Sequence, residues 1–258
     1  MSVLKHPKTI GFLDSGIGGL TVLSEALRRI PGAELLFYAD TDHVPYGTKT
    51  KEEIVRFATA AVETLCERGA EAVVVACNTA TSMAIGELRE RFPIPIVGME
   101  PAVKPAAAIH PEERVLICAT PVTIRGEKLH TLIDRSFREG VQPTLAALPG
   151  LVTLAEEERF GFETVRDYLR TVIDFREQVA AVVLGCTHFT YFRDSFRLLF
   201  PDADILDGNA GTVNRLIDLI GGEIPGEGTV TYLESGRLVS EPDKLARFNR
   251  YLDRMQSI

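Results

Sequence analysis

Along the chain, short continuous apolar runs alternate with longer stretches in which apolar residues recur every three or four positions. The short runs predict strands, and the Val-rich ones among them predict strands covered on both faces. Strands are expected over 9–13, 34–39, 72–76, 94–98, 115–119, 180–185 and 204–206, with a further one over 229–233. The longer periodic stretches predict helices over 20–30, 51–68, 81–91, 124–137, 162–175, 191–200 and 210–220, and a closing helix over 241–255. Regular alternation of the two patterns is the mark of βα units around parallel sheets, so the fold class is α/β.

One segment recurs. Ala72-Val-Val-Val-Ala-Cys77-Asn78-Thr79 and Ala181-Val-Val-Leu-Gly-Cys186-Thr187-His188 share one design: a buried strand ending in cysteine, then small polar residues, then a helical pattern. A weaker echo pairs Ile10–Ser15 with Val115–Thr120, strands that each run into a hydroxyl residue. The echoes predict two similar parallel-sheet domains, with a boundary near the Pro-rich stretch 92–105. Ligands of open α/β sheets sit beyond the carboxyl ends of strands. Two such domains facing each other across a central cleft would therefore set Cys77 opposite Cys186.

Composition narrows the partners. The 258 residues are 45% hydrophobic and 25% charged, enough for two domains or one large one. A net charge of −8, with no long run of Lys or Arg, argues against nucleic acid or an anionic membrane as the main partner. No apolar stretch approaches the roughly 18 residues that span a bilayer. The first eight residues are too short and polar for a signal peptide, so a cytoplasmic location is expected. A monomer and a homodimer are both compatible with the chain.

Four cysteines in so long a chain do not make a disulfide framework. Cys66 lies in a helical pattern and Cys118 inside a strand, where a free thiol acts as a small hydrophobe. Cys77 and Cys186 stand where a strand meets a helix start, and there the helix dipole and free N–H groups are expected to lower a thiol pKa and hold a substrate carboxylate. Facing thiols suit inversion of a carbon with an acidic hydrogen, one as base and the other as acid, each near neutral pKa. No C-x-x-C favours a redox pair, and Cys186 and His188 lack the spacing of the usual metal-ligand pairs. Gly16-Ile-Gly18-Gly19 lacks the three-glycine spacing of a dinucleotide fingerprint. An inert carboxylate-binding protein and a thiol redox sensor remain alternative readings.

At these residues the sequence resembles the glutamate racemases of the cofactor-independent aspartate/glutamate racemase superfamily, nearly end to end. The resemblance lies in Phe12-Leu-Asp14-Ser15-Gly-Ile-Gly-Gly-Leu20, in Tyr38-Ala-Asp40 with Pro45-Tyr46-Gly47, in Gly98-Met-Glu100-Pro101, and above all in the two cysteine motifs. It implies a 1,1-proton transfer that needs no pyridoxal phosphate or metal, supplying D-glutamate for peptidoglycan. By it, Cys77 takes the α-proton of D-glutamate with Asp14 in support, and Cys186 that of L-glutamate with His188 and Glu156 in support. Implied substrate contacts are Asp14, Ser15, Tyr46, Gly47, Asn78, Thr79, Thr120, Thr123, Thr187 and His188. The final helices are implied to return to the first domain, giving domains of 1–98 plus 208–258 and of 99–207. The pattern departs from the family at Gly126 and Leu129, in place of Ser and Tyr, and at Leu148-Pro149-Gly150, where Cys-Pro-Leu is common. A different hold on the ligand is expected near Thr120. A related racemase, such as one for aspartate, is the alternative on the same scaffold. Only 13 residues precede Asp14, so the N-terminal extension of regulated members is not expected.

Overall fold

The computed structural model describes residues 9–175 and 178–258. The opening 1–8, whose polarity argues against a signal peptide, lies outside them.

The described chain builds two sheets. The first takes β1 (Thr9–Asp14), β2 (Glu34–Ala39), β3 (Ala72–Val75), β4 (Ile96–Gly98), β9 (Thr229–Glu234) and β10 (Arg237–Leu238) in the order β10-β9-β2-β1-β3-β4. The second takes β5 (Val115–Ala119), β6 (Thr144–Ala147), β7 (Ala181–Leu184) and β8 (Asp204–Asp207) in the order β6-β5-β7-β8. Every pairing is parallel except that of the β9–β10 hairpin. The runs β2-β1-β3-β4 and β6-β5-β7-β8 have one topology, so the echo in the sequence is an echo in space. Its two central strands are the Asp14 and Cys77 strands in one sheet, and the Thr120 and Cys186 strands in the other. The hairpin turns at Ser235 and Gly236, both at positive φ (44° and 85°), the twist that two-residue hairpins require.

Local chemistry explains the helix ends. Helix α2 (Lys51–Glu67) starts at a reciprocal capping box between Thr50 and Glu53. Helix α3 (Asn78–Arg91) begins three residues before its expected start, because Cys77 caps it and its sulfur accepts the Ala80 N–H. The helix expected over 124–137 is broken into α5 (Pro121–Arg125) and α6 (Glu127–Ser136), since Gly126 takes an extended ψ of 131°. That expected over 162–175 stops earlier, as α8 (Phe162–Arg170). The one expected over 191–200 is α9 (Arg193–Leu199), preceded by a 3-10 run over Thr187–Phe192. Strand β6 and helices α4 (Val103–Ile109) and α7 (Pro149–Glu156) have no counterpart in the sequence reading. Pro149 reads as a breaker, yet it stands at the first helical position, where its missing N–H is harmless.

Both sheets are covered on both faces. One apolar cluster fills the outer side of the first sheet under α2 and α3, and another fills the outer side of the second under α4 and α6. A third is continuous between them. It runs from Phe12 and Phe37 through Ile17, Phe189 and Tyr191 to Leu116 and Val182, and takes in α1 (Leu20–Arg29), α10 (Asn209–Ile220) and α11 (Pro242–Ser257). Cys118 is part of this core and Cys66 packs on the first-sheet cluster. Among the described residues, no helix is long and apolar enough to cross a membrane.

Candidate active site

Asp14 ends β1, Cys77 follows β3, Thr120 follows β5 and Cys186 follows β7, so the candidate residues gather at the carboxyl ends of both central strand pairs. All four are buried, as are Ser15, Tyr46, Asn78, Thr79, Thr123, Thr187 and His188. Buried polar side chains therefore concentrate at these strand ends, apart from the apolar clusters.

The sulfurs have different surroundings. Cys77 Sγ accepts the Ala80 N–H at 3.4 Å and lies 3.7 Å from the Ser15 hydroxyl. Burial, with the Asp14 carboxyl next in weight, pushes the Cys77 thiol up to about 12. The lowering expected from the helix start is overturned here. A helix dipole contributes about 0.3–1 kcal/mol, and complete desolvation beside an acid outweighs it. Asp14 itself, fully buried, is raised to about 6. Its Oδ2 accepts the Gly16 N–H at 3.1 Å, and its Oδ1 accepts the Thr187 hydroxyl at 3.2 Å, a bond that joins the two sheets' strand ends.

Cys186 Sγ lies 3.9 Å from His188 Nδ1, and the other ring nitrogen of His188 is 2.8 Å from Glu156 Oε1. Burial disfavours an imidazolium, but the hydrogen bonds to Cys186 and Glu156 prevail and raise His188 well above its ordinary value. Burial likewise opposes ionisation of Glu156, and there the bond to His188 prevails and lowers it. Each partner thus favours the charged form of the other. The charge of Cys186 also contributes to the rise at Cys77.

A second polar group lies beside the first. The hydroxyls of Thr79 and Thr120 are 3.0 Å apart, and Thr120 is 3.0 Å from Thr123. A Cβ on Gly47 would stand 3.1 Å from Thr120 Cβ, so this loop touches the same spot. The Tyr46 hydroxyl donates to Asp40 at 2.6 Å, and Asp40 also accepts from Ser235 at 3.1 Å. Asn78 makes no side-chain hydrogen bond among the described residues; it lines a small cavity with Thr123, Lys128, Leu129 and Glu100. Of the departures from the family's pattern, Leu129 lines this cavity and packs in the core of the second sheet, while Leu148 is fully buried with its N–H on the Ala119 carbonyl, one residue before Thr120.

The Gly-rich loop has a steric purpose. A Cβ on Gly16 would lie 2.0 Å from Glu156 Oε1, and one on Gly18 2.4 Å from His188 Nδ1. Absent from the sequence reading are Arg247 and two roles of motif residues: the Ile17 N–H, which donates to Glu156 Oε1 at 3.1 Å, and Asp40 as the anchor of Tyr46. Asp40 had a legible signal: like Asp14, it is an acid at the carboxyl end of a buried strand of the first sheet.

Residues 19–216 match the family model described as Asp/Glu/Hydantoin racemase. The chain belongs to that family. It is accordingly a racemase, an isomerase. The glutamate racemase of Campylobacter curvus is 47% identical to it over 96% of this chain and 98% of the relative. Glutamate racemase 2 of Bacillus subtilis is 40% identical over 95% of each. Among solved structures, Escherichia coli glutamate racemase in complex with L-glutamate and the activator UDP-MurNAc-ala superposes with a TM-score of 0.80. It is 30% identical, with 94% of this racemase and 96% of that chain covered. Among the described residues, no group of three or more His, Cys, Asp or Glu side chains is arranged to hold a metal ion.

Proposed function

We propose that this racemase interconverts L- and D-glutamate by passing one proton off and another onto the α-carbon, with Cys77 and Cys186 as the two proton-transfer groups. The glutamate racemases at 40–47% identity over nearly the whole chain support the substrate. The observation that carries the chemistry is the unequal surroundings of the two buried sulfurs: Cys77, whose thiol is pushed up by burial, and Cys186, with His188 Nδ1 3.9 Å from its sulfur and Glu156 2.8 Å behind the ring.

That inequality gives a direction to the first half-reaction. Cys186 accepts the α-proton of L-glutamate, and the electron pair stays on the α-carbon and its carboxylate. Cys77 donates its S–H proton to the opposite face, which yields D-glutamate. The sulfurs have then exchanged states, and the reverse reaction runs from there. Asp14 assists Cys77, and the Glu156–His188 pair assists Cys186. Ser15, Asn78, Thr79, Thr120, Thr123, Thr187, Tyr46 and Gly47 hold the substrate through hydroxyls, amides and backbone. A positioned acid–base pair of this kind is worth about 10²–10⁴-fold per group. We further assign the two sheets to domains of 1–98 plus 208–258 and of 99–207. The reading carries with it a cytoplasmic location and a supply of D-glutamate for peptidoglycan.

Incubation with L- or D-glutamate in D₂O, followed by NMR and optical rotation, tests the proposal. Wild type is expected to exchange the α-hydrogen and reach a racemic mixture, while Cys77→Ala and Cys186→Ala are not. Racemisation by either variant at the wild-type rate would refute the two-thiol mechanism. Faster turnover of aspartate than of glutamate would refute the substrate.

A further inference from the structure

Helix α11 is fixed to the first sheet but directs its basic side chains at elements of the second. Phe248 stacks on Tyr232 at 4.6 Å and meets Phe37 edge-on at 6.1 Å, which seats the helix against β9 and β2. Its opposite face carries Arg247, Arg250 and Arg254, spaced three and four residues apart on one side of a helix. Arg254 donates to the Tyr191 carbonyl at 3.0 Å and to Asp194 at 2.6 Å, and Arg250 pairs with Glu158 at 2.7 Å. The Tyr251 hydroxyl donates to the Ala155 carbonyl at 2.5 Å. Arg247 lies 3.6 Å from the same Glu158, but among these arginines it also reaches Glu156. Its Nη2 donates to the Glu156 carbonyl at 2.7 Å and lies 3.3 Å from Glu156 Oε2.

The two carboxylate oxygens of Glu156 have separate duties. Oε1 takes both His188 Nε2 and the Ile17 N–H, at 2.8 and 3.1 Å. Oε2 has Arg247 as its hydrogen-bonding partner among the described residues. The terminal torsion of a glutamate is broad, so one anchored oxygen leaves the carboxylate plane free to swing. A second anchor on Oε2 fixes that plane, and with it the ring it holds.

We propose that Arg247 is a positioning residue for the second thiol: it orients the Glu156 carboxylate, which keeps the His188 ring directed at Cys186. Proton transfer at Cys186 thereby depends on a helix seated on the other sheet. The inference rests on the two-thiol reading above. Arg247 never touches the reacting atoms.

The test compares Arg247→Gln, Arg247→Lys and Arg250→Gln in the full-length chain. All three lose or alter an arginine on one face of α11, but only the first two change the contact with the carboxylate. Arg247→Gln is expected to lower kcat about tenfold, a fraction of what an acid–base group supplies. The primary isotope effect with α-deuterated L-glutamate should rise, because the Cys186 step becomes the slower one, and that with α-deuterated D-glutamate should fall. Arg247→Lys should recover part of the loss, and Arg250→Gln should match wild type. In ¹⁵N-histidine-labelled protein, the His188 Nε2–H resonance should move in Arg247→Gln, move less in Arg247→Lys and stay in place in Arg250→Gln. Unchanged isotope effects and an unmoved resonance in Arg247→Gln would overturn the proposal, as would an Arg250→Gln variant that reproduces its changes. If wild type were inert toward glutamate, the two-thiol reading would fall, and the His188 resonance would still decide whether Arg247 orients the pair.

Discussion

Replacement of Gly18 by alanine sets two effects against each other, and their sizes differ enough to predict the outcome. The added methyl would lie 2.4 Å from His188 Nδ1, 2.7 Å from His188 Cε1 and 2.5 Å from Thr187 Oγ1. Favourable contacts of carbon lie at about 3.5–4.0 Å, so the overlap is about 1 Å. His188 has no room to retreat, being only 2% exposed and tied at 2.8 Å to Glu156. Gly18 is not among the glycines at positive φ, so alanine adopts this backbone without strain. That term favours the variant by about 0.4–1 kcal/mol through the unfolded chain. Overpacking opposes it with about 1–3 kcal/mol; the overlap of about 1 Å on a side chain with no room to move puts the cost at the upper end, for a net loss of about 2 kcal/mol and a Tm lower by several degrees. On the proposed mechanism activity should fall much further, by about 10²-fold, because a 1 Å displacement reaches the ring that assists Cys186. Gly86→Ala is the control. It lies exposed in α3 with nothing within 4 Å of the added methyl, and should gain about 0.5–1 kcal/mol at unchanged kcat. Polarimetric racemisation assays and thermal melts on both variants read the two effects. A folded Gly18→Ala with wild-type kcat would refute the tight apposition of the loop and His188.

Two further outcomes follow from the buried acids. Asp14 titrates at about 6 in the fold against an ordinary 3.8, so between those values the native state binds more protons than the unfolded chain and stability falls as pH rises. The 2.2-unit difference (6 − 3.8) corresponds to an upper bound of roughly 3 kcal/mol, so Asp14→Asn should melt above wild type at pH 7, converge with it near pH 4 and lose racemisation. Parallel pH–stability curves for the two proteins would contradict this account. Tyr46→Phe removes the 2.6 Å donor to buried Asp40, and should lower stability by about 1–3 kcal/mol in denaturant titrations while raising KM for glutamate. An unaltered unfolding midpoint would mean that His43 and Ser235 already satisfy that carboxylate.

Much of the architecture is written in local pattern. Val-rich runs announce β3 and β7, and the repeat of strand, cysteine and polar residues announces that the two sheets share a topology. Both signals are short in range: each needs only a strand, its end and the residues that follow. The elements that escaped notice carry weak local signals. Strand β6 is a four-residue edge with an exposed start, and α7 opens on a proline that reads equally as a stop. Gly126 broke a helix whose apolar periodicity continued across it, because a backbone dihedral leaves no trace in hydrophobic spacing.

The sequence by itself determined which residue types stand at the strand ends, and hence that thiols, hydroxyls, an acid and an imidazole were available for proton chemistry. Only the tertiary structure decided their protonation and their partners. Local reasoning supplies the helix dipole at Cys77, a small effect, whereas burial and the nearness of Asp14 depend on residues brought together from distant parts of the chain, and these reversed the sign. Arg247 and Glu156 are 91 residues apart, and no pattern within either segment encodes their meeting. Contacts of that range arise from how the two sheets pack on one continuous core, which is a property of the folded whole.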